Sequence, residues 1–357
     1  MPLTVGIIGA SFAKAAMLPA LASIDDVEVV AVASRRLASA QAAADAFGVA
    51  HAYDDWRAML EAHKLDLVCI ATPTDTHAPM TLAALEAGAH VLCEKPMAMN
   101  QAESAAMLES AEAHGRLHMI DHELRFNPNR RKIKQLIESG AIGEVRHVNI
   151  VNINPSWGDP ASRPAGDWWS LEEMGGGRLG ANGSHQIDLV RFWLGEVRSV
   201  NGQIKTVVAD RIDKDTGEPW TATADDLATF TLEMESGALV SVFMSGAARH
   251  GVGNSTQIYG SEGTIMLADG DEKLLYAKAG EELQDVSEVD PNALLPGIGP
   301  GIWNVSVVTL MNELVAAIRG GRPLKEGATF ADGLACQRVM DAVRQSSAER
   351  RWIDLID

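Results

Sequence analysis

The sequence has few cysteines and no long hydrophobic run, and both absences narrow the classes of protein it can belong to. Its three cysteines, Cys69, Cys93 and Cys336, are too few and too widely spaced for a disulfide framework or a zinc site. They are typical of reduced core thiols, which predicts a cytoplasmic location and no bound metal. Because no window of about 18 apolar residues and no signal-peptide pattern is present, we expect neither a membrane span nor secretion.

Basic residues are also scarce. The chain has 30 Lys and Arg against 48 Asp and Glu, a net charge of −18. A field of this sign repels nucleic acid and anionic membranes, so we expect neither as a partner. An anionic cofactor must therefore be held by local features, and the first fifty residues contain only three basic side chains, Lys14, Arg35 and Arg36.

The first 120 residues alternate between strand-like apolar runs and helix-like Ala-rich stretches. The runs that predict buried strands are 3–8, 27–33, 65–71, 91–94 and 117–121. The stretches that predict helices between them are 12–22, 38–47, 54–63, 77–87 and 100–114. Repeated βα alternation of this kind predicts a doubly wound parallel sheet.

After residue 122 the pattern changes to apolar residues at every second position. The runs with this period are 145–153, 197–207, 228–234, 239–244, 256–259 and 263–267, preceded by a helix near 128–139 and followed by helices at 305–318 and 330–347. We therefore predict an α/β protein with a Rossmann dinucleotide-binding domain over 1–122. A substrate-binding and oligomerisation domain with a largely antiparallel open sheet follows over 123–357, and its last helix is a candidate to pack back on the first domain. An open sheet face usually needs a covering partner, which predicts a homodimer or homotetramer through this sheet.

A glycine-containing turn joins the first predicted strand to the first helix. In the dinucleotide-binding pattern G-x-G-x-x-G, this chain keeps Gly9, has Ser11 for the second glycine and Lys14 for the third. We predict that Gly9, Ser11 and Phe12 bind the cofactor, with its phosphates held by this loop at the helix N-terminus. Two alternatives stay open: Ser11 only caps the helix, and Lys14 either pairs with phosphate or points to solvent.

The end of the second strand indicates which dinucleotide is bound. NAD usually requires an Asp or Glu here for the ribose hydroxyls, whereas a 2′-phosphate requires a basic residue. The chain reads Ser34-Arg35-Arg36, with no carboxylate. We therefore favour NADP(H), with NAD(H) still open, and the alternative is a solvated charge pair on a loop.

Several motifs along the chain resemble the glucose-fructose oxidoreductase/inositol dehydrogenase (Gfo/Idh/MocA) family. The most specific is Cys93–Pro96, which reads Cys-Glu-Lys-Pro after a predicted buried strand. The other matching segments are 71–77, 84–91, 125–128, 139–143, 175–177, 183–188 and 330–334. The resemblance covers nearly the whole chain.

The resemblance implies an NAD(P)-dependent enzyme that transfers a hydride between nicotinamide and a sugar, cyclitol or related secondary alcohol. Lys95 would bind the reacting oxygen and move its proton, with Glu94 beside the nicotinamide or orienting the lysine. Thr72, Pro73 and His77 would line the cofactor. His185 would face the substrate as a second catalytic group, and Lys95–Pro96 is a candidate cis peptide bond.

The chemistry of these residue types agrees with that implication. Oxidising an alcohol requires a base within hydrogen-bond reach of the hydroxyl proton. A lysine in a partly desolvated cleft can polarise or protonate the oxygen, and a histidine titrates near neutral pH.

One position departs from the family pattern. The family commonly has an aspartate four residues before the histidine, where this chain has Ala181 followed by Asn182. We expect Asn182 to be at most a hydrogen-bonding substitute. Glu123 either supplies the lost negative charge or pairs with Arg125.

The remaining predicted substrate-binding residues are Arg125, Trp168 and Asp188. Asp188 shares a helical face with His185 and can orient the imidazole or contact substrate. Trp168 lies in a Trp-rich segment, 157–169, that can stack on a sugar or simply anchor a loop.

Three functions remain in competition. A net dehydrogenase or reductase is the leading one. A redox-neutral lyase or glycosidase that oxidises its sugar transiently is the second, and a non-catalytic dinucleotide-binding protein is the third.

Overall fold

A computed structural model of the chain describes residues 1–268, 270 and 272–355. The chain forms two compact units. The first comprises Met1–Asn127 and Asp290–Ala335, and the second Pro128–Val289 and Cys336–Asp357. The last two residues of the predicted second domain lie outside the described residues. In the part of the chain that is described, no helix is long and apolar enough to cross a membrane.

The strands and helices are numbered in chain order. The strands are β1 (Leu3–Ile8), β2 (Val27–Ala33), β3 (His51–Tyr53), β4 (Leu67–Ile70), β5 (His90–Cys93), β6 (His118–Ile120), β7 (Val145–Ile153), β8 (Val197–Lys205), β9 (Asp210–Ile212), β10 (Pro219–Thr221), β11 (Leu227–Met234), β12 (Leu239–Ser245), β13 (Gly253–Gly260), β14 (Gly263–Ala268), β15 (Lys273–Lys278), β16 (Gln284–Asp285) and β17 (Ile353–Asp354). The helices are α1 (Leu18–Ala22), α2 (Leu37–Phe47), α3 (Trp56–Ala62), α4 (His77–Glu86), α5 (Gln101–Ala113), α6 (Pro128–Glu138), α7 (Ser184–Leu194), α8 (Ile302–Gly320) and α9 (Phe330–Glu349). Two π-helical turns, Ala13–Met17 and Leu179–Gly183, lead into α1 and α7.

The first unit contains a six-stranded parallel sheet in the order β3-β2-β1-β4-β5-β6. This is the strand order of a doubly wound dinucleotide-binding fold, so the predicted Rossmann sheet is confirmed. Ile8 pairs with Ala33 of β2 and with Ile70 of β4. The residues after β1, β2 and β4 therefore emerge side by side at the carboxyl edge of the sheet, where such folds bind ligands.

The strand β3 is absent from the sequence prediction. Its three residues, His51–Tyr53, contain no buried apolar side chain. A short edge strand of this kind carries no long apolar run, so its pairing with Ala31–Ala33 is not visible in the sequence pattern.

The helix α8 belongs to the first unit although the sequence prediction assigns its residues to the second domain. Its apolar side chains Val307, Leu310 and Met311 are fully buried in one cluster with Val5 and Ile7 of β1. Burial of this apolar surface explains why the segment Asp290–Ala335 folds with the first unit rather than with its neighbours in sequence.

The second unit contains a nine-stranded sheet in the order β16-β15-β14-β13-β7-β12-β11-β8-β17. Its pairs are antiparallel except for β12 with β7, and this agrees with the predicted largely antiparallel sheet. Burial alternates along β11 and β12, so one face packs and the other is more exposed. A separate hairpin joins β9 to β10.

Candidate active site

The bend after β1 requires a glycine. Gly9 has φ +104°, and a Cβ at this position would lie 2.1 Å from the Ala71 carbonyl oxygen. Its N–H donates to the Ala33 carbonyl (2.8 Å), while Ala71 N–H donates to the Ile8 carbonyl (2.7 Å). These bonds hold the bend between β2 and β4, where the sheet topology places a dinucleotide site.

The helix that follows Gly9 presents polar side chains at its start. Ser11 and Lys14 are exposed, Phe12 is half-buried and Ala13 is fully buried. The first turn of a helix also leaves backbone N–H groups without intrahelical acceptors. N–H groups, a hydroxyl and an ammonium form a donor set that suits phosphate oxygens, so the residues present fit a dinucleotide diphosphate.

The end of β2 carries the two arginines. Ser34 N–H donates to the Tyr53 carbonyl of β3 (3.0 Å), which places Ser34 at the same sheet edge. Arg35 and Arg36 are both exposed, and Arg36 is the N-cap residue of α2. Exposed guanidinium groups at this edge can bind a 2′-phosphate bidentately.

His77 is placed differently from the sequence expectation. The residue is fully buried, and its Nδ1 and Nε2 lie 2.9 Å from the carbonyl oxygens of Pro96 and Thr72. Burial lowers the pKa of the imidazole, against the opposing effect of these carbonyls. Its side chain ties the turn after β4 to the turn after β5, while the half-buried Thr72 and Pro73 are the members of this group at the surface.

The Cys-Glu-Lys-Pro segment forms a turn at the end of β5. The Lys95–Pro96 peptide bond is cis, as the sequence suggested. Lys95 is half-buried, and its N–H donates to Glu94 Oε2 (3.2 Å). Glu94 is 8% exposed, and burial raises the pKa of its carboxyl group while the charge of Lys95 lowers it. The turn thus combines an ammonium group with a buried carboxyl group at the carboxyl edge of the sheet.

A second buried carboxyl group, absent from the sequence prediction, lies beside this turn. Asp121 follows β6 directly, is fully buried, and its N–H donates to the Cys93 carbonyl (2.8 Å). Burial raises the pKa of Asp121 well above its ordinary value, and the neighbouring carboxyl groups of Glu94 and Glu123 raise it further. An acidic residue at the end of the apolar run 117–121 is the sequence signal that could have identified it.

Glu123 and Arg125 are both buried within the first unit. An Arg125 NH2 group lies 3.1 Å from Asp332 Oδ1, and its other NH2 group donates to the Glu326 carbonyl (3.3 Å). Burial opposes ionisation of Asp332, but Arg125 and Thr329 together hold the pKa of that carboxyl below its usual value. Arg125 therefore anchors the first turn of α9 and the segment before it, and the substrate contact expected for Arg125 remains a prediction.

Except for Trp168, the candidate residues of the second unit lie on one continuous helical segment. Ala181 and Asn182 are half-buried in the π-helical turn before α7, and His185 and Asp188 are 1% exposed on α7 itself. The helical spacing expected for His185 and Asp188 is confirmed. Cys336 Sγ donates to the Ser184 carbonyl (3.3 Å), which fixes the start of α7 against α9.

A buried carboxylate holds the start of this segment. Asp225 Oδ2 accepts a hydrogen bond from Leu179 N–H (2.9 Å), and Arg178 N–H donates to the Asp225 carbonyl (2.8 Å). Burial raises the pKa of Asp225 to about 6. Burial also lowers the pKa of Arg178 to about 10, and its guanidinium donates to Asn152 Oδ1 (2.6 Å).

The Trp-rich segment divides into two parts. Trp157 is buried, with the guanidinium groups of Arg178 and Arg211 at 5.4 Å and 5.8 Å from its ring centroid, which is a structural role. Trp168 and Trp169 are half-buried and stacked on each other at 3.9 Å. Among the described residues, no group of three or more His, Cys, Asp or Glu could hold a metal ion.

Two family models match the chain. The model described as "Oxidoreductase family, NAD-binding Rossmann fold" matches residues 3–122, and the one described as "GFO/IDH/MocA C-terminal domain" matches residues 130–266. The chain belongs to the Gfo/Idh/MocA oxidoreductase family. Its predicted family resemblance is thereby confirmed.

Individual members of the family resemble the chain over most of its length. D-glucoside 3-dehydrogenase of Escherichia coli is 34% identical over 67% of this chain and 69% of its own. The dTDP-3,4-didehydro-2,6-dideoxy-alpha-D-glucose 3-reductase of Streptomyces violaceoruber is 32% identical over 97% of this chain and 95% of its own. A levoglucosan dehydrogenase solved with NADH and levoglucosan has a TM-score of 0.88 at 27% identity, with both chains fully covered.

Membership of the Gfo/Idh/MocA family makes the chain a nicotinamide-dependent oxidoreductase. The Gly9 bend, the donor set after it and the Glu94–Lys95 turn all lie at one edge of the first unit's sheet. Residues suited to the two ends of a dinucleotide therefore occur within a single unit.

Proposed function

We propose that the chain interconverts a secondary alcohol and a ketone on a polyhydroxylated substrate, a sugar or a cyclitol. The observation that carries the proposal is the turn in which half-buried Lys95 follows buried Glu94 at the carboxyl end of β5. Family relatives named as sugar dehydrogenases and reductases support the same substrate class.

Lys95 has the central role in this proposal. When bound, the nicotinamide supplies the group that accepts or returns the hydride. Lys95 Nζ hydrogen-bonds the reacting oxygen. As a neutral amine it takes the hydroxyl proton during oxidation and becomes the ammonium, and as the ammonium it returns that proton during reduction. Glu94 balances the ammonium charge and holds the Lys95 backbone through the 3.2 Å hydrogen bond.

We assign the remaining predicted contacts as follows. Gly9, Ser11, Phe12, Thr72 and Pro73 contact the cofactor, whereas His77 positions the loops around it. His185 is the second acid–base group, and Asp188 orients it. The residues that contact the substrate are Trp168, Asn182 and Glu123.

The variant His185→Gln tests the role of the histidine. We expect a lower kcat and an altered pH profile of kcat, and an unchanged profile would show that His185 is only a structural core residue.

We propose NADP(H) as the preferred cofactor. Ser34, Arg35 and Arg36 at the end of β2 offer a hydroxyl and two exposed guanidinium groups, and no carboxylate stands at this point of the sequence. Equal affinity of the purified protein for NADPH and NADH, measured by cofactor fluorescence, would refute the preference.

We also propose a homodimer or homotetramer formed through the sheet of the second unit. Leu239 and Phe243 on β12 are 48% and 38% exposed, which leaves large apolar side chains on the less covered face. Light scattering of wild type and Phe243→Glu tests this, with a smaller mass expected for the variant.

We also propose a reducing, cytoplasmic location, because the three cysteines are buried free thiols.

The decisive test of the reaction uses a panel of polyols and ketoses. We expect near-ultraviolet absorbance to change in proportion to product when NADP⁺ or NADPH is supplied. Product without accumulated reduced cofactor would support the redox-neutral lyase or glycosidase instead. Cofactor binding without any product would support a non-catalytic dinucleotide-binding protein.

A further inference from the structure

The register of the first unit's sheet brings two buried carboxyl groups together. Cys93 of β5 pairs with Ile120 of β6, and Glu94 and Asp121 are the next residues of the two strands. Partners on neighbouring parallel strands point to the same face of a sheet, so the two side chains are neighbours. The hydrogen bond from Asp121 N–H to the Cys93 carbonyl continues the pairing to this point.

The two carboxyl groups are buried, and few hydrogen-bond donors surround them. Glu94 Oε1 and both carboxyl oxygens of Asp121 are buried and receive no hydrogen bond from an N–H or O–H donor among the described residues. The titratable groups that act on Asp121 are Glu94, Lys95 and Glu123, together with the buried thiols of Cys69 and Cys93. Burial raises the pKa of both thiols, so they remain uncharged.

Two carboxyl groups in such a place cannot both be ionised at low cost. Burying an anion without a partner raises the free energy of the folded state, and a second anion beside it adds electrostatic repulsion. One proton between them removes the second charge and forms a hydrogen bond from the acid to the carboxylate. Glu94 lies next to the Lys95 ammonium, so it is the group that stays ionised, and Asp121 holds the proton.

We propose that Asp121 is a positioning residue, a neutral carboxylic acid whose proton donates a hydrogen bond to the Glu94 carboxylate and so orients it beside Lys95. Asp121 acts through Glu94 and touches neither substrate nor cofactor. Its effect on turnover rests on the proposed dehydrogenase function, but its protonation state does not.

Infrared difference spectroscopy of the cofactor-free protein at pH 8 tests the protonation. Subtracting the Asp121→Asn spectrum from the wild-type spectrum should reveal the C=O stretch of a protonated carboxyl group, shifted in D₂O. The matched control is Asp225→Asn in the second unit, because a carboxyl with a pKa of about 6 is ionised at pH 8 and should contribute no such band. Absence of a band that is specific to Asp121 would overturn the proposal.

The same spectra test the partner of the hydrogen bond. In Glu94→Gln the acceptor becomes an amide oxygen, so the C=O stretch of Asp121 should shift in frequency or be lost. An unchanged band would show that Asp121 is protonated but not bonded to Glu94, which also contradicts the proposal.

Turnover tests the positioning role. A hydrogen bond to a charged group contributes enough for Asp121→Ala to lower kcat by about 10- to 100-fold, with the Kd for NADPH little changed. Asp121→Asn keeps an N–H donor and should recover most of that loss. Equal kcat in D121A and wild type, or equal losses in D121A and D121N, would contradict the role. If no substrate is turned over by wild type, the proposed function fails while the spectra still decide the state of Asp121.

Discussion

The two ends of the carboxyl edge of the first unit's sheet carry charge in opposite ways. At the end of β2, Arg35 and Arg36 are exposed to water and positively charged. At the ends of β5 and β6, Glu94 and Asp121 are buried carboxyl groups. Exposed charges interact weakly and are screened by salt, whereas buried ones perturb each other strongly. The exposed end is therefore suited to selecting an anion and the buried end to proton chemistry.

The largest expected effect comes from the buried end. Lys95→Met removes the ammonium while keeping the length of the side chain, and we expect kcat to fall by about 10²- to 10⁴-fold, the usual contribution of a general acid–base group. NADPH affinity, followed by fluorescence titration, should change little. Lys64→Met is the matched control, since it removes an ammonium from an exposed position just before β4, where no site residue is proposed. An unchanged kcat in Lys95→Met would remove Lys95 from the mechanism.

The Gly9 bend lies between these two ends of the sheet edge, and a substitution there gives the next largest expected effect. Gly9→Ala places a methyl group 2.1 Å from the Ala71 carbonyl oxygen at φ +104°, so we expect a loss of about 3 kcal/mol or more in unfolding free energy. Gly48→Ala is the control, because Gly48 also has positive φ (+67°) but no neighbour within 4 Å. Its loss should be about 1 kcal/mol, as for a helix C-terminal glycine. Equal losses in chemical denaturation would show that crowding at Gly9 is unimportant.

Asp225, a buried carboxyl group in the second unit, provides an independent test of whether burial changes the pKa of a carboxyl group. The pKa of Asp225 is raised by burial to about 6 in the folded chain, so its contribution to stability is present at low pH and lost as pH rises towards 6. Asp225→Asn does not titrate, and its amide oxygen can still accept from Leu179 N–H. Relative to wild type, we expect it to be more stable at pH 8 by at most about 3 kcal/mol, with the difference vanishing near pH 4. A difference that is independent of pH would contradict the assignment.

Substitution of the exposed arginines after β2 gives the smallest expected effect. Arg35→Ala and Arg36→Ala should each weaken NADPH binding by about 10-fold, as expected for losing a charge-assisted hydrogen bond, and leave NADH binding unchanged. The loss should shrink as salt is added, because the guanidinium groups are exposed. Arg57→Ala is a control at an exposed arginine of α3. Equal losses for NADPH and NADH would mean that the arginines do not read the 2′-phosphate.

The parts of the fold with long apolar runs could be predicted from the sequence. Strands β1 and β2 have the predicted bounds, Leu3–Ile8 and Val27–Ala33, because buried parallel strands are continuous runs of apolar residues. The short edge strand β3 and the strands β15 to β17 were absent from the prediction. The strands β3, β16 and β17 have two or three residues each, so their existence depends on pairing partners. In contrast, β15 contains the apolar run 274–277, which the prediction missed.

Site residues that belong to a recognisable sequence motif could be predicted. Site residues that are brought together only by the packing of the fold could not. Glu94 and Lys95 stand in a recognisable segment, and the structure places them in one turn. Asp121 is distant in sequence and becomes a neighbour of Glu94 only through the register of β5 and β6. His77 was expected to line the cofactor, but its two contacts with carbonyl oxygens are visible only in three dimensions.

A crystal structure of the chain with NADPH bound would show whether the dinucleotide lies along the carboxyl edge of the first unit's sheet, from the arginines after β2 to Lys95. In this complex we expect the 2′-phosphate to contact Ser34 and at least one of Arg35 and Arg36. We expect the diphosphate at the Gly9 bend and the nicotinamide ring beside Lys95. A dinucleotide bound with its nicotinamide away from Lys95, or a Gly9 bend that admits no diphosphate, would contradict this expectation.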